Sequence, residues 1–328
     1  MKKGIAWISA LLLGALLCLV GYAASPAYDL NDVLTAMDAL RQKQISSADI
    51  AAYDQNKDGS LRLDDVLQML RFCKNHYRPA DCALTHRDDH DCVLSDITLG
   101  RYTDLSYTSS KCRITMNYRI YVPRSYSPDK QHALVVFLHG LGSEKRPISE
   151  LSGGALFRNI QSGKYEKETI LLVPQCPVGM TWPDNRTTTI ETAYEIIDML
   201  ASHLAIDRDR MYLSGHSNGA KGVAYMVSAH PGTFAAGILS AGASPISNYK
   251  NLEKMAKTPM RLFCSNDDPY KFNGHMKNLT LALQIKGGDA VYKEYTGLGH
   301  GIFTTVSNEP GLIDWMYKQT LAKYFHKF

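Results

Sequence analysis

The sequence has little net charge: 36 Lys and Arg against 32 Asp and Glu leave +4 over 328 residues. No stretch gathers Lys and Arg with interleaved aromatics, which argues against a nucleic-acid partner. An H-E-x-x-H run is also missing, so the sequence offers no support for a zinc hydrolase. There is no low-complexity tract, and past residue 20 no apolar run is long enough to span a membrane. With 45% apolar and 21% charged residues, the chain can build one large core, or one core plus a small module.

What is present begins at the N-terminus. Lys2 and Lys3 precede an apolar run from Ile5 to Val20, followed by small residues at Gly21, Ala23 and Ala24. That order predicts a secretory signal peptide over residues 1–24 and hence export, with an uncleaved membrane anchor as the alternative. Leu17 before Cys18, where a small residue would be needed, argues against lipid attachment. Of the seven cysteines, six lie beyond the signal: Cys73, Cys82, Cys92, Cys112, Cys176 and Cys264. An exported chain permits disulfides among them. Four cluster between positions 73 and 112, which suggests stapling there; Cys264 sits in an apolar run and reads as a buried free thiol.

Residues 25–75 read as a small helical module. Leu30, Val33, Leu34, Met37 and Leu40 recur at helical spacing, and Val66, Leu67 and Leu70 open a second amphipathic run. Between them lies Asp54-x-Asn56-x-Asp58-Gly59-Ser60, with Asp65 at loop position twelve. Hard oxygen ligands at alternate positions and a glycine at the sharp turn predict an EF-hand-type site for a structural Ca²⁺, Ser60 giving its carbonyl. Residues 76–101 are polar, Cys- and His-containing and aperiodic, so a linker is expected there.

From residue 102 to 328 strand-like and helix-like runs alternate. Tyr118–Val122, Ala133–Leu138, Thr169–Val173, Arg210–Ser214, Ala236–Leu239, Met260–Cys264 and Val291–Tyr295 read as strands, several continuously apolar as in a buried parallel sheet. Ile190, Ala193, Tyr194, Ile197, Ala201 and Leu204 share a helical face. Asn218–His230, Met276–Leu283 and Leu312–Phe325 read as further helices. The alternation predicts an α/β fold with a mostly parallel, doubly wound sheet.

Within that domain, Gly215-His-Ser217-Asn-Gly219 follows a short apolar strand and precedes a helix. A serine on such a strained turn is exposed at the sheet's carboxyl edge, and side chains two residues away would clash. Ser217 is therefore the candidate nucleophile, with the Asn218 N–H aimed at the developing oxyanion. An acid and a base should follow in that order. The strand Met260–Cys264 ends in Asp267-Asp268-Pro269; either aspartate could serve, and Asp268 is favoured because Pro269 restricts its backbone. His300, on the glycine-flanked loop after Val291–Tyr295, is the candidate base. The turn His139-Gly140-Leu141-Gly142 after an early strand offers a second oxyanion donor, the Leu141 N–H. His139 and His216 read as structural hydrogen-bonders. Trp182, Tyr270 and Phe303 fall near loop ends, where each could line an acyl pocket or simply pack.

From about Tyr107 onward the chain resembles the secreted α/β-hydrolase esterases of carbohydrate esterase family 1. That group spans feruloyl and acetyl xylan esterases and polyhydroxybutyrate-depolymerase-like enzymes. The likeness rests on Tyr118-Arg-Ile-Tyr-Val-Pro123, Phe137-Leu-His-Gly140, Pro174-Gln-Cys-Pro177 with Trp182, the Gly215–Gly219 motif, Asp268-Pro269 and Gly299-His300. It also resembles related predicted peptidases, though Ser217-Asn-Gly219 favours the esterase branch. Ala220 stands where the esterases commonly carry a second glycine. The calcium segment resembles a dockerin, since Tyr28-Asp-Leu-Asn-Asp-Val-Leu echoes Leu61-Arg-Leu-Asp-Asp-Val-Leu. A first calcium loop would fall in the signal region and lacks ligands, so one calcium site is expected.

Together these resemblances imply an exported Ser-His-Asp esterase acting on feruloyl or acetyl groups of plant-wall polysaccharide, or on a small ester. They imply no cofactor for catalysis and a cohesin-type scaffold protein as partner of the N-terminal module. The alternatives are a serine peptidase on the same scaffold and a non-catalytic, calcium-dependent binding protein.

Overall fold

The computed structural model describes residues 97–184 and 187–321, together with Ala36, Ser60 and Arg62. The chain divides into two units, Met1–Asp91 and Cys92–Phe328. The expected signal peptide, the helical module and calcium loop apart from Ala36, Ser60 and Arg62, and Cys73, Cys82 and Cys92 lie outside the described residues.

Eight strands form one sheet: β1 (Tyr102–Thr108), β2 (Thr115–Tyr121), β3 (His132–Leu138), β4 (Thr169–Gln175), β5 (Ile206–His216), β6 (Ala236–Ser240), β7 (Met260–Ser265) and β8 (Ala290–Tyr295). Their spatial order is β1-β2-β4-β3-β5-β6-β7-β8. β2 runs antiparallel to both β1 and β4, and every pairing from β4 to β8 is parallel. This is the mostly parallel sheet of an α/β-hydrolase.

The continuous apolar runs are explained by burial on both faces. Along β3, Leu134, Val136 and Leu138 enter one core cluster while Ala133, Val135 and Phe137 enter the other. The first cluster is closed by α2 (Thr188–His203), α3 (Asn218–Ala229) and α5 (Phe272–Ile285), through Ile190, Ile197, Val223, Val227, Met276 and Leu279. The second is closed by α1 (Gly154–Gln161), α6 (Phe303–Ser307) and α7 (Leu312–Tyr317), through Leu156, Phe157, Val306, Leu312 and Met316. Each such fully buried side chain contributes about 1.5–3 kcal/mol relative to exposure. A short α4 (Leu252–Met255) connects β6 to β7.

The helices α1, α4 and α6 have no counterpart in the sequence pattern, and three further stretches differ from it. β1 carries no apolar run because it is an edge strand whose polar Asp104 and Ser106 are exposed while Leu105 and Tyr107 are only half-buried. The helix expected over Leu312–Phe325 stops at Tyr317. There the chain turns back to the sheet: Tyr212 donates to the Gln319 carbonyl at 3.0 Å and the Leu321 N–H to the Asp209 carbonyl at 3.1 Å. Tertiary bonds outweigh helical periodicity at that point. Residues 97–101, read as the end of a linker, belong to the body, since Ile97 packs on the core and the Gly100 N–H reaches the Val122 carbonyl at 2.7 Å.

Candidate active site

The site lies at the carboxyl edge of the sheet, where the chain turns from β5 into α3. Ser217 occupies that turn with φ 56° and ψ −118°, a conformation few side-chain-bearing residues adopt. Its N–H donates to the Ser240 carbonyl at 2.8 Å, which fixes the turn to β6. Both flanking glycines are required by close approach. A Cβ on Gly219 would stand 1.9 Å from the Leu138 carbonyl oxygen, and one on Gly215 would stand 2.4 Å from that of Gly219.

Two other loops meet the serine. His300, from the loop after β8, places Nε2 2.8 Å from Ser217 Oγ. Its Nδ1 lies 2.9 Å from Asp268 Oδ2, on the loop after β7. The Asp268 side chain is fully buried, and a buried carboxylate must be compensated by donors. It is: Oδ1 accepts the Tyr270 N–H at 2.9 Å, and the Cys264 thiol lies 3.5 Å from Oδ2. Burial, and then the carboxylate beside it, pushes the Cys264 thiol up to about 12, so it keeps its proton and remains a donor. Cys112, Cys176 and Cys264 are all free thiols.

Asp267 turns elsewhere. Its carboxylate takes the Ser265 hydroxyl and, at 3.1 Å, the Gly299 N–H, so it fastens the His300 loop rather than the imidazole. These bonds, the Ser265 one first, hold its carboxyl below the usual carboxylate range.

His216 packs beside His300, with ring centroids 5.1 Å apart, and its Nδ1 meets Ser240 Oγ at 3.1 Å. Burial, reinforced by His300, pushes it down to about 4, so at neutral pH it is an uncharged neighbour. Of the three candidate pocket aromatics, Tyr270 is 64% exposed with its ring 4.6 Å from that of His300. Trp182 is fully buried in the first core cluster, and Phe303 stacks on Phe137 at 4.6 Å.

The turn after β3 closes the site on its other side. A Cβ on Gly140 would stand 3.4 Å from Ser217 Cβ, so Gly140 lies against the serine. Among the described residues, neither the Leu141 N–H nor the Asn218 N–H donates an internal hydrogen bond. The Asn218 side chain is occupied: its Oδ1 accepts the Trp182 N–H at 2.7 Å. Beside this turn opens a groove of about 400 Å³, lined among others by Asn117, Glu144, Arg146 and Gln175.

Sequence reasoning did not anticipate Cys264 and Tyr270 as partners of Asp268. The second was legible, because an aspartate whose carboxylate accepts the N–H two residues on is an Asx turn, common around Asp-Pro. Of the expected calcium ligands only Ser60 is described; it is half-buried, with Oγ 3.4 Å from Arg62 Nη2. Asp54, Asn56, Asp58 and Asp65 lie outside the described residues. Among the described residues no group of His, Cys, Asp or Glu is gathered to hold a metal ion.

A family model described as "Putative esterase" matches residues 109–293, more than half of the chain. Among solved structures, a thermostable esterase is 26% identical with a TM-score of 0.61, over 67% of this chain and 63% of its own. The chain thus spans less than two thirds of that enzyme. An S-formylglutathione hydrolase from Agrobacterium tumefaciens is 16% identical, with a TM-score of 0.51, over 66% of this chain and 95% of its own. A ferulic acid esterase is 15% identical, with a TM-score of 0.51, over 66% and 97%. The last two likenesses are of fold alone.

Proposed function

The chain belongs to the esterase family matched over residues 109–293, and from that premise we propose that it hydrolyses carboxylic esters with Ser217 as nucleophile, His300 as base and Asp268 as orienting acid. The observation that carries this reading is the continuous chain of contacts from Ser217 Oγ to His300 at 2.8 Å and from His300 to Asp268 at 2.9 Å.

His300 Nε2 takes the hydroxyl proton as Ser217 Oγ attacks the ester carbonyl. The Leu141 and Asn218 N–H groups receive the negative charge that forms on the carbonyl oxygen. Collapse of the tetrahedral species breaks the bond to the alcohol oxygen, which leaves with the proton held by His300. Water repeats the sequence on the acyl-serine, releasing the acid and restoring the hydroxyl. Asp268 holds Nδ1 protonated, so that Nε2 is free to accept, and stabilises the imidazolium that results.

The substrate in this reading is a feruloyl or acetyl ester of plant-wall polysaccharide. Tyr270 supports it by offering an exposed ring beside His300 on which an aromatic acyl group can stack. The 400 Å³ groove, whose mixed lining includes Asn117, Gln175, Glu144 and Arg146 beside Ile148 and Val178, offers room for a polyhydroxylated alcohol. Export, the calcium module with Asp54, Asn56, Asp58, Ser60 and Asp65, and a cohesin-type scaffold partner complete the proposal and rest on the sequence pattern.

Assay of the purified protein on methyl ferulate, acetylated xylan oligosaccharides and unmodified peptides tests it. Ester turnover with no peptide cleavage is expected; peptide cleavage with neither ester hydrolysed would replace it with the peptidase reading. Titration of calcium into the full chain is expected to show one site, abolished by Asp58→Ala.

A further inference from the structure

One buried imidazole beside the nucleophile has no part in that mechanism: His139, 3% exposed, directly before the turn that carries Leu141. We propose that His139 is a positioning residue for the oxyanion hole, aiming the Leu141 N–H by holding the other end of the same peptide plane. The inference rests on the reading of Ser217 as nucleophile.

The geometry fixes the tautomer. His139 Nδ1 lies 2.8 Å from the Gly140 carbonyl oxygen, which can only accept, so Nδ1 bears the hydrogen. Nε2 accepts the Cys176 N–H at 3.0 Å, so it is bare. One ring thereby ties the turn after β3 to the end of β4. The Gly140 C=O and the Leu141 N–H belong to one planar trans peptide and point in opposite directions. Whatever fixes the carbonyl therefore fixes the N–H, and Gly140 lies against Ser217.

The other bond to that carbonyl is weaker. It comes from the Ser143 N–H at 3.4 Å, the closing bond of the turn. The rest of the turn is anchored separately, since the Gln175 side chain donates to the Arg146 carbonyl at 2.7 Å and the Glu144 carboxylate takes the Gly142 N–H at 2.6 Å. Loss of the His139 contact would leave the loop in place and free only the orientation of this one peptide. Burial lowers the imidazole's proton affinity, in keeping with a ring that must stay neutral to accept from Cys176.

Two near-isosteric variants separate the two bonds. The amide nitrogen of Asn can occupy the place of Nδ1 and keep the donor to Gly140. Gln reaches the place of Nε2 and keeps only the acceptor for Cys176. His139→Asn is expected to hold kcat within about threefold, whereas His139→Gln should lose about 10²-fold in kcat with KM within twofold, the scale of one oxyanion donor lost. Affinity for a boronic acid, which forms a tetrahedral adduct on serine, should fall in parallel in His139→Gln alone. Equal losses in both variants, or a loss carried by KM, would make His139 a packing residue and overturn the proposal. Wild-type turnover in Ser217→Ala would overturn the reading of the site itself, and this inference with it.

Discussion

The two flanks of β5 do different work by different means. On the β7–β8 flank the groups that the proposed mechanism uses are side chains, and a buried carboxylate is held by directed donors: Asp268 by His300, Tyr270 and Cys264. On the β3–β4 flank the group that the proposed mechanism uses is a backbone N–H. There the side chains of His139, Gln175 and Glu144 hold main chain. Acid–base chemistry needs particular residue types at particular places. Oxyanion binding needs only an aimed amide, which any residue except proline can supply. Mutation should therefore be severe and specific on the first flank, graded and indirect on the second.

The largest effect is expected at the proposed nucleophile and base. Ser217→Ala and His300→Ala should each lower kcat by about 10⁵-fold or more, and the double variant should be little worse than either, because the residues act as a unit. Next comes Asp268→Asn, expected to cost up to about 10⁴-fold in kcat by presenting His300 in the wrong tautomer while leaving thermal stability near that of the parent.

A smaller effect is one of stability. The folded-state affinity of His216 for a proton is depressed from an ordinary 6.5 to about 4. Between those values the unfolded chain binds the proton and the folded chain resists it. Stability is thus fully present above pH 6.5 and is lost as pH falls toward 4, by roughly 3 kcal/mol over the window. Thermal unfolding across this range should show a flatter decline in His216→Gln. An unchanged slope would locate the acid sensitivity elsewhere.

The smallest effect is expected at Asp267, one residue from the acid. Asp267→Asn should cost only a few-fold in kcat, since it loosens one bond to the Gly299 N–H without touching the imidazole. If Asp267→Asn proved worse than Asp268→Asn, the division of labour between the neighbours would be reversed.

The same contrast accounts for what could be read in the sequence. Ser217 and His300 announce themselves by type, spacing and flanking glycines, and β3, β4, β6 and β7 by their runs of buried residues. The choice of Asp268 over Asp267 rested on Pro269, and the structure brings Asp268 to His300. β1 escaped notice because an edge strand need not be apolar, and the end of α7 because a bond from Tyr212 to Gln319 has no local signature. On the β3–β4 flank the sequence names the turn and the Leu141 N–H but not what aims it. An imidazole held from Cys176, thirty-seven positions away, becomes legible only when β3 and β4 pair.

Covalent trapping tests the central claim, that Ser217 is the nucleophile raised by His300, most directly. The protein should be reacted with a fluorophosphonate ester and its peptides mapped by mass spectrometry. A single phosphonyl adduct on Ser217 is expected, forming at least about 10³-fold more slowly in His300→Ala. An adduct on a different serine, or labelling of Ser217→Ala at the wild-type rate, would contradict it.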